Sequence, residues 1–207
     1  MLASAVESTI AAGDPIFLPG AAWTRAGVVT AGLARASLSS GDGRQLTVRY
    51  VRPGGLIGSV FPIAGSRAPL GISAVTTCRV IEFAAEDFLR ILESDAQASL
   101  LVVRLFSQRL EDLYATVAAH SFGTMRERVG GHLLDLAEVD PITGVITAGV
   151  TQQQLADSVG SVREVVARVL RELRDEGIVT TSHGAITILN LSALAALVSR
   201  WRSIVRS

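Results

Sequence analysis

The chain has 207 residues, of which 49% are hydrophobic and 18% charged, so it can bury a core in one or two domains and is not disordered throughout. Its formal net charge is zero, and the whole molecule therefore lacks the basic signature of nucleic-acid binding, although a local basic patch would be hidden in this sum. The single cysteine, Cys78, excludes a disulfide within the chain and an iron–sulfur cluster held by several of its thiolates.

The first part of the chain has the pattern of short strands separated by turns. Glycine and proline mark turns near residues 13–15, 19–20, 40–43 and 53–55. The strands predicted between these turns are residues 28–30, 45–51 and 73–83. In the second strand, Leu46, Val48 and Tyr50 alternate with the neighbouring residues, which is typical of a half-buried strand. The third is expected to place three apolar side chains on one face: Val75, Ile81 and Phe83. We therefore predict a small β-roll in residues 1–94.

Helical patterns follow the predicted roll. Residues 86–92 form a short predicted helix, and Ser94 or Asp95 can cap a longer one that runs to about His120. Apolar residues of this long helix alternate at spacings of three and four, as in a heptad seam: Val103, Phe106, Leu110, Leu113 and Val117. One interpretation is an amphipathic helix that lies on its own domain. A helix of about 25 residues spans roughly 37 Å, which is long for the side of a small roll, so we favour a dimerisation helix over residues 95–121.

Residues 122–207 are predicted to form a separate domain of helices and a β-hairpin, with a C-terminal helical extension. A helix at residues 126–138 leads to a helix–turn–helix, in which Thr151 caps the first helix with Gln154 as capping-box partner. Gly160 permits the turn, and Ser161 is predicted to cap the second helix. The side chains expected to point inward from this helix are Val162, Val165, Val166, Val169, Leu170 and Leu173. Two short strands at 178–182 and 185–189 form a wing around His183 and Gly184, and a last helix covers residues 192–207.

The second helix of this pair has the chemistry of a DNA-recognition helix. Its first turns carry Arg163, Glu164 and Arg168, and residues 161–174 contain four arginines and two glutamates, a local charge of +2. Arginine donates a bidentate pair of hydrogen bonds to guanine, and glutamate accepts from the amino group of cytosine. The alternative is a helical hairpin whose outer face is merely solvated. The wing that follows favours DNA binding.

The same stretch resembles the winged helix-turn-helix of the CRP/FNR superfamily, the regulators related to the cyclic-AMP receptor protein. Arg163, Glu164 and Arg168 stand where that family has its R-E-x-x-x-R signature, so the resemblance implies that they read bases. Thr151 and Gln152 match positions that approach the phosphate backbone, although the receptor protein has arginine in place of Gln152. The predicted DNA-contacting set is completed by two further residues: Ser161 and His183. Residues 43–58 resemble the family's β-roll around its G-x-x-x-G segment, and the long helix resembles its dimerisation helix.

The resemblance breaks down at the nucleotide pocket. Members that bind cyclic nucleotides hold the ribose with a glutamate, where this chain has Ser59, and the phosphate with an arginine, where it has Ile72. The degenerate pocket is predicted near Gly55, Gly58, Ser59, Ile72 and Ser73. An unpaired buried phosphate costs several kcal/mol, so we expect no tight binding of cyclic AMP; Arg67 is the one cation left open as a substitute. Leu113 and Tyr114 occupy the helix positions that offer hydroxyls to the base in those members.

No cofactor is predicted. Cys78 is interpreted as a small strand residue. The three histidines, His120, His132 and His183, are interpreted as structural or solvated, so haem is not expected. No clustered His, Cys or carboxylate set has the spacing of a nucleophilic or metal site, so we predict no enzyme activity.

The sequence thus predicts an α+β regulator that binds an inverted repeat in double-stranded DNA as a homodimer, with RNA polymerase as a further partner. Two alternatives remain open: an unidentified effector gates the regulator through the roll, or the regulator is constitutive and the roll is only a dimerisation and protein-contact module. No stretch approaches the roughly 20 apolar residues that span a bilayer, and residues 1–13 lack the pattern of a secretion signal. We therefore expect a cytoplasmic protein without membrane contact.

Overall fold

The computed structural model of the chain describes residues 5–22, 24–41, 45–182 and 184–204. The chain divides into two compact units, residues 1–41 with 47–109 and residues 42–46 with 110–207, so the division falls within one long helix. The architecture is α+β, as the sequence predicted. Among the described residues, no helix is long and apolar enough to cross a membrane.

The N-terminal unit is a β-roll made of two antiparallel sheets. Its strands are β1 (Val6–Ile10), β2 (Pro15–Phe17), β3 (Arg25–Ala31), β4 (Ala34–Ser39), β5 (Gln45–Val51), β6 (Leu56–Ile57), β7 (Leu70–Ala74) and β8 (Cys78–Ala84). One sheet has the order β1-β8-β3-β6 and the other β2-β7-β4-β5. Val29 and Val80 from the first sheet share a buried cluster with Ala36 and Ile72 from the second. The sheets therefore close over one apolar core, and a short helix, α1 (Val60–Ala64), follows β6.

The single strand predicted at residues 73–83 is wrong, because the chain turns at residues 75–77 and enters the other sheet. The backbone N–H groups of Val75 and Thr76 both donate to the Leu33 carbonyl, and the Thr76 hydroxyl accepts from the N–H of Leu33. Gly32, with φ of 82°, makes this approach possible, because a Cβ there would lie 2.2 Å from the Thr77 carbonyl oxygen. Val75 therefore does not share a strand with Ile81 and Phe83.

Strand β5 is confirmed. Its buried side chains, however, are not the apolar ones whose alternation predicted the strand; they lie on the opposite face. Thr47 and Val51 are buried, whereas Leu46, Val48 and Tyr50 are only partly covered. The strand therefore contributes a mixed polar and apolar face to the interior of the roll.

Two helices follow the roll, α2 (Ala85–Ser94) and α3 (Ala96–Phe122). Asp95 caps the second, because its Oδ1 accepts from the N–H groups of Gln97 and Ala98 at 2.9 and 3.1 Å. Ser94 does not, since its hydroxyl donates back to the Arg90 carbonyl. No residue of α3 is buried in the isolated chain.

The C-terminal unit combines helices with a four-stranded sheet of order β11-β12-β10-β9. Its elements are α4 (Met125–Leu136), β9 (Ala137–Val139), β10 (Ile146–Ala148), α5 (Gln152–Ser158), α6 (Arg163–Asp175), β11 (Val179–Ser182), β12 (Ala185–Ile188) and α7 (Leu191–Ile204). The helix predicted to reach residue 138 ends at Leu136, because Ala137 and Glu138 pair with β10. Its start is fixed by a capping box that the sequence analysis missed, between Thr124 and Glu127.

The last helix packs on α4, where two glycines leave room for it. A Cβ at Gly130 would lie 3.5 Å from Leu194 Cδ1, and a Cβ at Gly131 would lie 3.7 Å from Val198 Cγ1. Leu194 and Val198 are buried. Helix α7 is thus part of the core of the C-terminal unit, and the end of the predicted helix, residues 205–207, lies outside the described residues.

Candidate nucleic-acid interface

Helix α5 begins with the capping box that the sequence predicted. Thr151 Oγ1 accepts from the N–H of Gln154 at 3.2 Å, and Gln154 Oε1 accepts from the N–H of Thr151 at 2.9 Å. Leu155 and Ala156 are buried, which fixes the rotation of the helix. Thr151 and the partly covered Gln152 therefore lie at an ordered helix start.

The turn between α5 and α6 differs from the prediction. Gly160 takes a left-handed conformation, with φ of 66°, and Ser161 uses its N–H to donate to the Ala156 carbonyl at 2.9 Å. Val162, not Ser161, is the N-cap residue of α6, and it has no side-chain acceptor. Its side chain is 58% exposed, so the inward position predicted for Val162 is also wrong. The serine lies in the turn one residue before the cap.

Helix α6 separates its apolar and charged residues as predicted. Val166, Val169, Leu170 and Leu173 are buried. The exposed residues of the helix are all charged: Arg163, Glu164, Arg168, Arg171, Glu172, Arg174 and Asp175. Arg174 pairs with Asp175 at 3.1 Å. Within the described ranges, no hydrogen bond or ion pair engages the guanidinium groups of Arg163 and Arg168, which are therefore available to an external acceptor.

The wing is present where the sequence placed it. Strands β11 and β12 pair antiparallel, with Ser182 opposite Ala185, and Gly184 has φ of 78° in the connecting turn. Ser182 Oγ donates to the Ala185 carbonyl at 3.2 Å, which braces the turn. His183 lies outside the described residues, so its contact with DNA stays a prediction.

These elements surround one groove of about 350 Å³. It is lined by the start of α5, by the first residue of α6 and by the wing: Val150, Thr151, Gln152, Gln153, Arg163, Thr181, Ser182, Gly184 and Ile186. The structure thus brings together Thr151, Gln152 and Arg163 of the predicted set. Ser161, Glu164 and Arg168 do not line the groove, although Glu164 and Arg168 are exposed on the same helix.

The sequence analysis missed the two wing hydroxyls at this groove, those of Thr181 and Ser182. The signal was present as a run of hydroxyl residues, 180–182, just before the turn of the hairpin. Hydroxyl groups and arginine are common donors to phosphate oxygens. The groove therefore has the donor chemistry of a surface that contacts a nucleic-acid backbone.

Comparison with known proteins agrees with this geometry. The family model of the Crp-like helix-turn-helix domain matches residues 127–197, and that of the cyclic nucleotide-binding domain matches residues 7–95. The transcriptional regulator SdrP of Thermus thermophilus is 32% identical over 192 residues, which cover 90% of this chain and 91% of SdrP. The transcriptional regulator LdrP of the same species is 30% identical over 79% of this chain and 82% of LdrP. A crystal structure of a CRP/FNR-family regulator from Thermus thermophilus has a TM-score of 0.77 at 30% identity, covering 94% of this chain and 98% of that one.

The chain belongs to the CRP/FNR family. It is a transcription regulator with a helix-turn-helix DNA-binding domain, as the sequence predicted, and its relatives are regulators rather than enzymes. The β-roll, the long helix and the C-terminal winged domain are the fold of this family.

In the roll of this CRP/FNR protein, apolar side chains fill part of the predicted nucleotide pocket. Ile72 is only 3% exposed and lies in the core cluster with Phe17. Gly58, with φ of 71°, lets the ring of Phe17 approach, because a Cβ there would lie 2.9 Å from Phe17 Cζ. A phosphate at Ile72 would have no cation from that position, so these residues do not fit the phosphate of a cyclic nucleotide.

The other predicted pocket residues, Gly55, Gly58, Ser59 and Ser73, carry no charge. Ser59 is 1% exposed, and its hydroxyl has no hydrogen-bond partner among the described residues. Gly55 approaches Val51 closely, since a Cβ there would lie 2.4 Å from Val51 Cγ1. Ser73 lies in β7 with its backbone opposite Arg35. Arg67 is exposed and donates to the Gly20 carbonyl at 3.1 Å, so one of its guanidinium nitrogens is already engaged.

The surroundings of Cys78, His120 and His132 are those of structural side chains. Burial raises the pKa of the Cys78 thiol, which donates to the Leu33 carbonyl at 3.2 Å, so it is not a reactive thiolate. Burial, and then the charge of Arg128, lower the pKa of His120, while His132 is buried on α4. The described part of the chain contains no group of three His, Cys, Asp or Glu side chains that could hold a metal ion.

Proposed function

We propose that this regulator binds an inverted-repeat operator in double-stranded DNA as a homodimer, with one α6 helix in each of two successive major grooves. The observation that carries the proposal is the set of exposed Arg163, Glu164 and Arg168 side chains, which have no partner among the described residues and lie on the helix that borders the wing groove. A helix in the major groove reads bases with its first turns, and the two half-sites of a dimer lie about 34 Å apart.

The groove at the wing supplies the backbone contacts in this proposal. Thr151, Gln152, Thr181 and Ser182 offer polar groups around Arg163, and phosphate contacts of this kind fix the register of a protein on the duplex. The base-reading role is assigned to Arg163, Glu164 and Arg168.

The homodimer is supported by the surface of α3. Its predicted seam residues are exposed in the single chain, except Phe106, which is half-buried: Val103 59%, Leu110 47%, Leu113 39% and Val117 54%. A row of apolar side chains at heptad spacing is stabilised when a second helix covers it. Sedimentation of the full chain should give a dimer, which Leu113→Asp should dissociate and Leu101→Asp, outside the seam but also exposed, should leave intact. A wild-type monomer would contradict this part of the proposal.

Base reading is tested by selecting bound fragments from random DNA and then measuring affinity at fixed salt. Arg163→Ala should cost about 1–3 kcal/mol and relax the preference at one base pair in each half-site. Arg171→Ala removes the same charge from the same helix, outside its first turns, and should preserve the preference. An Arg163→Ala protein with unchanged affinity and unchanged preference would show that α6 is not the reader.

Cyclic AMP is not the effector in this proposal, because buried Ile72 and Ser59 leave its phosphate and ribose without their partners. Isothermal calorimetry should detect no binding at micromolar concentrations of the nucleotide. Tight DNA binding by ligand-free protein would favour the constitutive form of the function, and weak binding the gated form. We further propose that the regulator acts in the cytoplasm and contacts RNA polymerase.

A further inference from the structure

Val162, the residue at which α6 begins, is an exposed apolar side chain in a domain that covers the others. It is 58% exposed, and no other large apolar residue is exposed between Ile146 and Ser182, a segment that the structure describes in full. The next two residues, Arg163 and Glu164, are exposed and charged. Single exposed apolar residues are common on protein surfaces, so the surroundings of Val162 must decide whether it has a role.

The capping of α6 gives no reason for a valine at this position. Helices α4, α5 and α7 each begin at a polar residue whose side chain accepts from a backbone N–H: Thr124, Thr151 and Asn190. That hydrogen bond is why serine, threonine, asparagine and aspartate are favoured at a helix start and valine is disfavoured. Val162 contributes only its backbone carbonyl, which accepts from the N–H groups of Val165 and Val166. A polar residue would therefore serve the folding of this domain better.

The position of Val162 gives its side chain a ligand when α6 reads DNA as proposed. The first turn of a helix in the major groove approaches the base edges, and Val162 directly precedes Arg163, which lines the groove beside the wing. Base edges in the major groove present hydrogen-bonding groups, with one apolar exception, the C5-methyl group of thymine. An exposed aliphatic side chain at this place matches that methyl group and offers no hydrogen bond to the other three bases.

We propose that Val162 is a specificity-determining residue that packs against the C5-methyl group of a thymine next to the base pair read by Arg163. The inference rests on the proposed function, because it takes α6 to lie in the major groove. Arg163 selects a guanine by hydrogen bonds, and Val162 selects the neighbouring thymine by removing two apolar surfaces from water. Each half-site of the operator should therefore carry a T·A pair beside a G·C pair.

Replacement of thymine by deoxyuridine tests this contact, because deoxyuridine lacks the methyl group and keeps the base-pairing edge. Selection from random DNA with the full chain gives the operator, and fluorescence anisotropy at fixed salt then measures its variants, each with one thymine per half-site replaced. One replacement should weaken binding about fourfold per half-site, as expected for a methyl group withdrawn from an apolar contact. The affected thymine should lie beside the G·C pair at which Arg163→Ala relaxes the preference.

Variants of the valine identify the side chain that reads the methyl group. Val162→Ser should bind the thymine and deoxyuridine operators with equal affinity, and Val162→Thr, which keeps one methyl group, should retain part of the difference. Val139→Ser makes the same change at an exposed valine of β9, outside the helix-turn-helix, and should retain the whole difference. Because serine can cap α6, Val162→Ser should melt at the same temperature as the wild type or higher. A loss of methyl readout then has no origin in a damaged fold.

Cytosine offers a second test, because 5-methylcytosine places a methyl group at the same position of a different base. The sensitive T·A pair is replaced by C·G, with and without the methyl group. The wild type should bind the methylated operator more tightly than the unmethylated one, and Val162→Ser should bind the two equally.

Two results would overturn the inference. In the first, no thymine of the operator is sensitive to loss of its methyl group in the wild type. In the second, the sensitivity is the same in Val162→Ser, which would assign the contact to another side chain. A selection that returns no inverted repeat would instead contradict the proposed function, so the two failures are distinguishable.

Discussion

Helix α6 and strand β7 carry predicted ligand-contacting positions in the two units. These positions are charged and exposed on α6, whereas on β7 the position is apolar and buried. Arg163 and Arg168 on α6 lie in water, where they need no internal partner. On β7, Ile72, the position at which the sequence resemblance predicts the phosphate-binding arginine of other members, is buried in the apolar core. A surface charge can be kept at little cost in stability, whereas a buried charge needs a partner in place. The C-terminal unit therefore keeps exposed cations on α6, whereas the roll has an apolar residue at the corresponding predicted ligand position.

Placing a cation at position 72 should give the largest effect. Ile72→Arg would bury a guanidinium among Phe17, Val29 and Val80, and we expect it to lower the free energy of unfolding of the roll by several kcal/mol. Urea unfolding of the full chain measures this effect.

The matched control for this substitution is Ile72→Met, which changes shape but not charge and should cost less than about 1.5 kcal/mol. If Ile72→Arg unfolds at the same urea concentration as Ile72→Met, the interior of the roll has room and solvent for a charge. The contrast with α6 would then be wrong.

The sequence was most informative where a structural rule is completed within a few residues. The partners of the Thr151–Gln154 capping box are three residues apart, and the wing follows from two strands around a short turn, so both were predictable. The break at residues 75–77 was not, because it depends on Leu33, more than forty positions away in the chain. The cap of α6 was misplaced for a related reason, since Ser161 is engaged by Ala156 of the preceding helix.

Prediction of functional residues from the sequence has the same limit as prediction of the fold. Arg163, Glu164 and Arg168 were found by spacing along one helix, which the sequence displays directly. Val162 fits the apolar spacing of the same helix and was expected to point inward, but the turn at Ser161 makes it the N-cap residue and leaves it exposed. Patterns in the chain reveal which residues share a face of one element, whereas the exposure of a residue at its end depends on how the adjacent turn folds.

A smaller effect is expected from the two capping boxes of the C-terminal unit. Thr151→Ala and Thr124→Ala each remove a side-chain acceptor at a helix start and should each cost about 1 kcal/mol of stability. Only Thr151 lines the groove, so Thr151→Ala should also weaken DNA binding while Thr124→Ala should not. Equal DNA affinities of the two variants would argue against a role for the start of α5 in the interface.

The smallest effect concerns the ion pair between Arg126 and Glu176. The guanidinium of Arg126 donates two hydrogen bonds to the carboxylate and lowers the pKa of Glu176. Because the folded-state pKa is the lower one, this stabilisation is present above the unfolded value of about 4.3 and is lost as the pH falls through the folded value.

Glu176→Gln should therefore lower stability slightly at neutral pH, and the difference from the wild type should vanish in acid. Urea unfolding at several pH values measures it, with Glu93→Gln as the control at an exposed carboxylate for which the described residues offer no ion pair. A difference that persists in acid would assign the role of Glu176 to something other than its charge.

The packing of α7 against Gly130 and Gly131 of α4 has a practical consequence for handling this protein. Because Leu194 and Val198 fill the space left by Gly130 and Gly131, the carboxyl-terminal helix is an internal component of the winged domain rather than an appendage. A chain shortened to end at the wing would expose the apolar face of α4 that α7 covers, and it would lose solubility. Affinity tags therefore belong at the amino end of the chain, outside the DNA-binding unit.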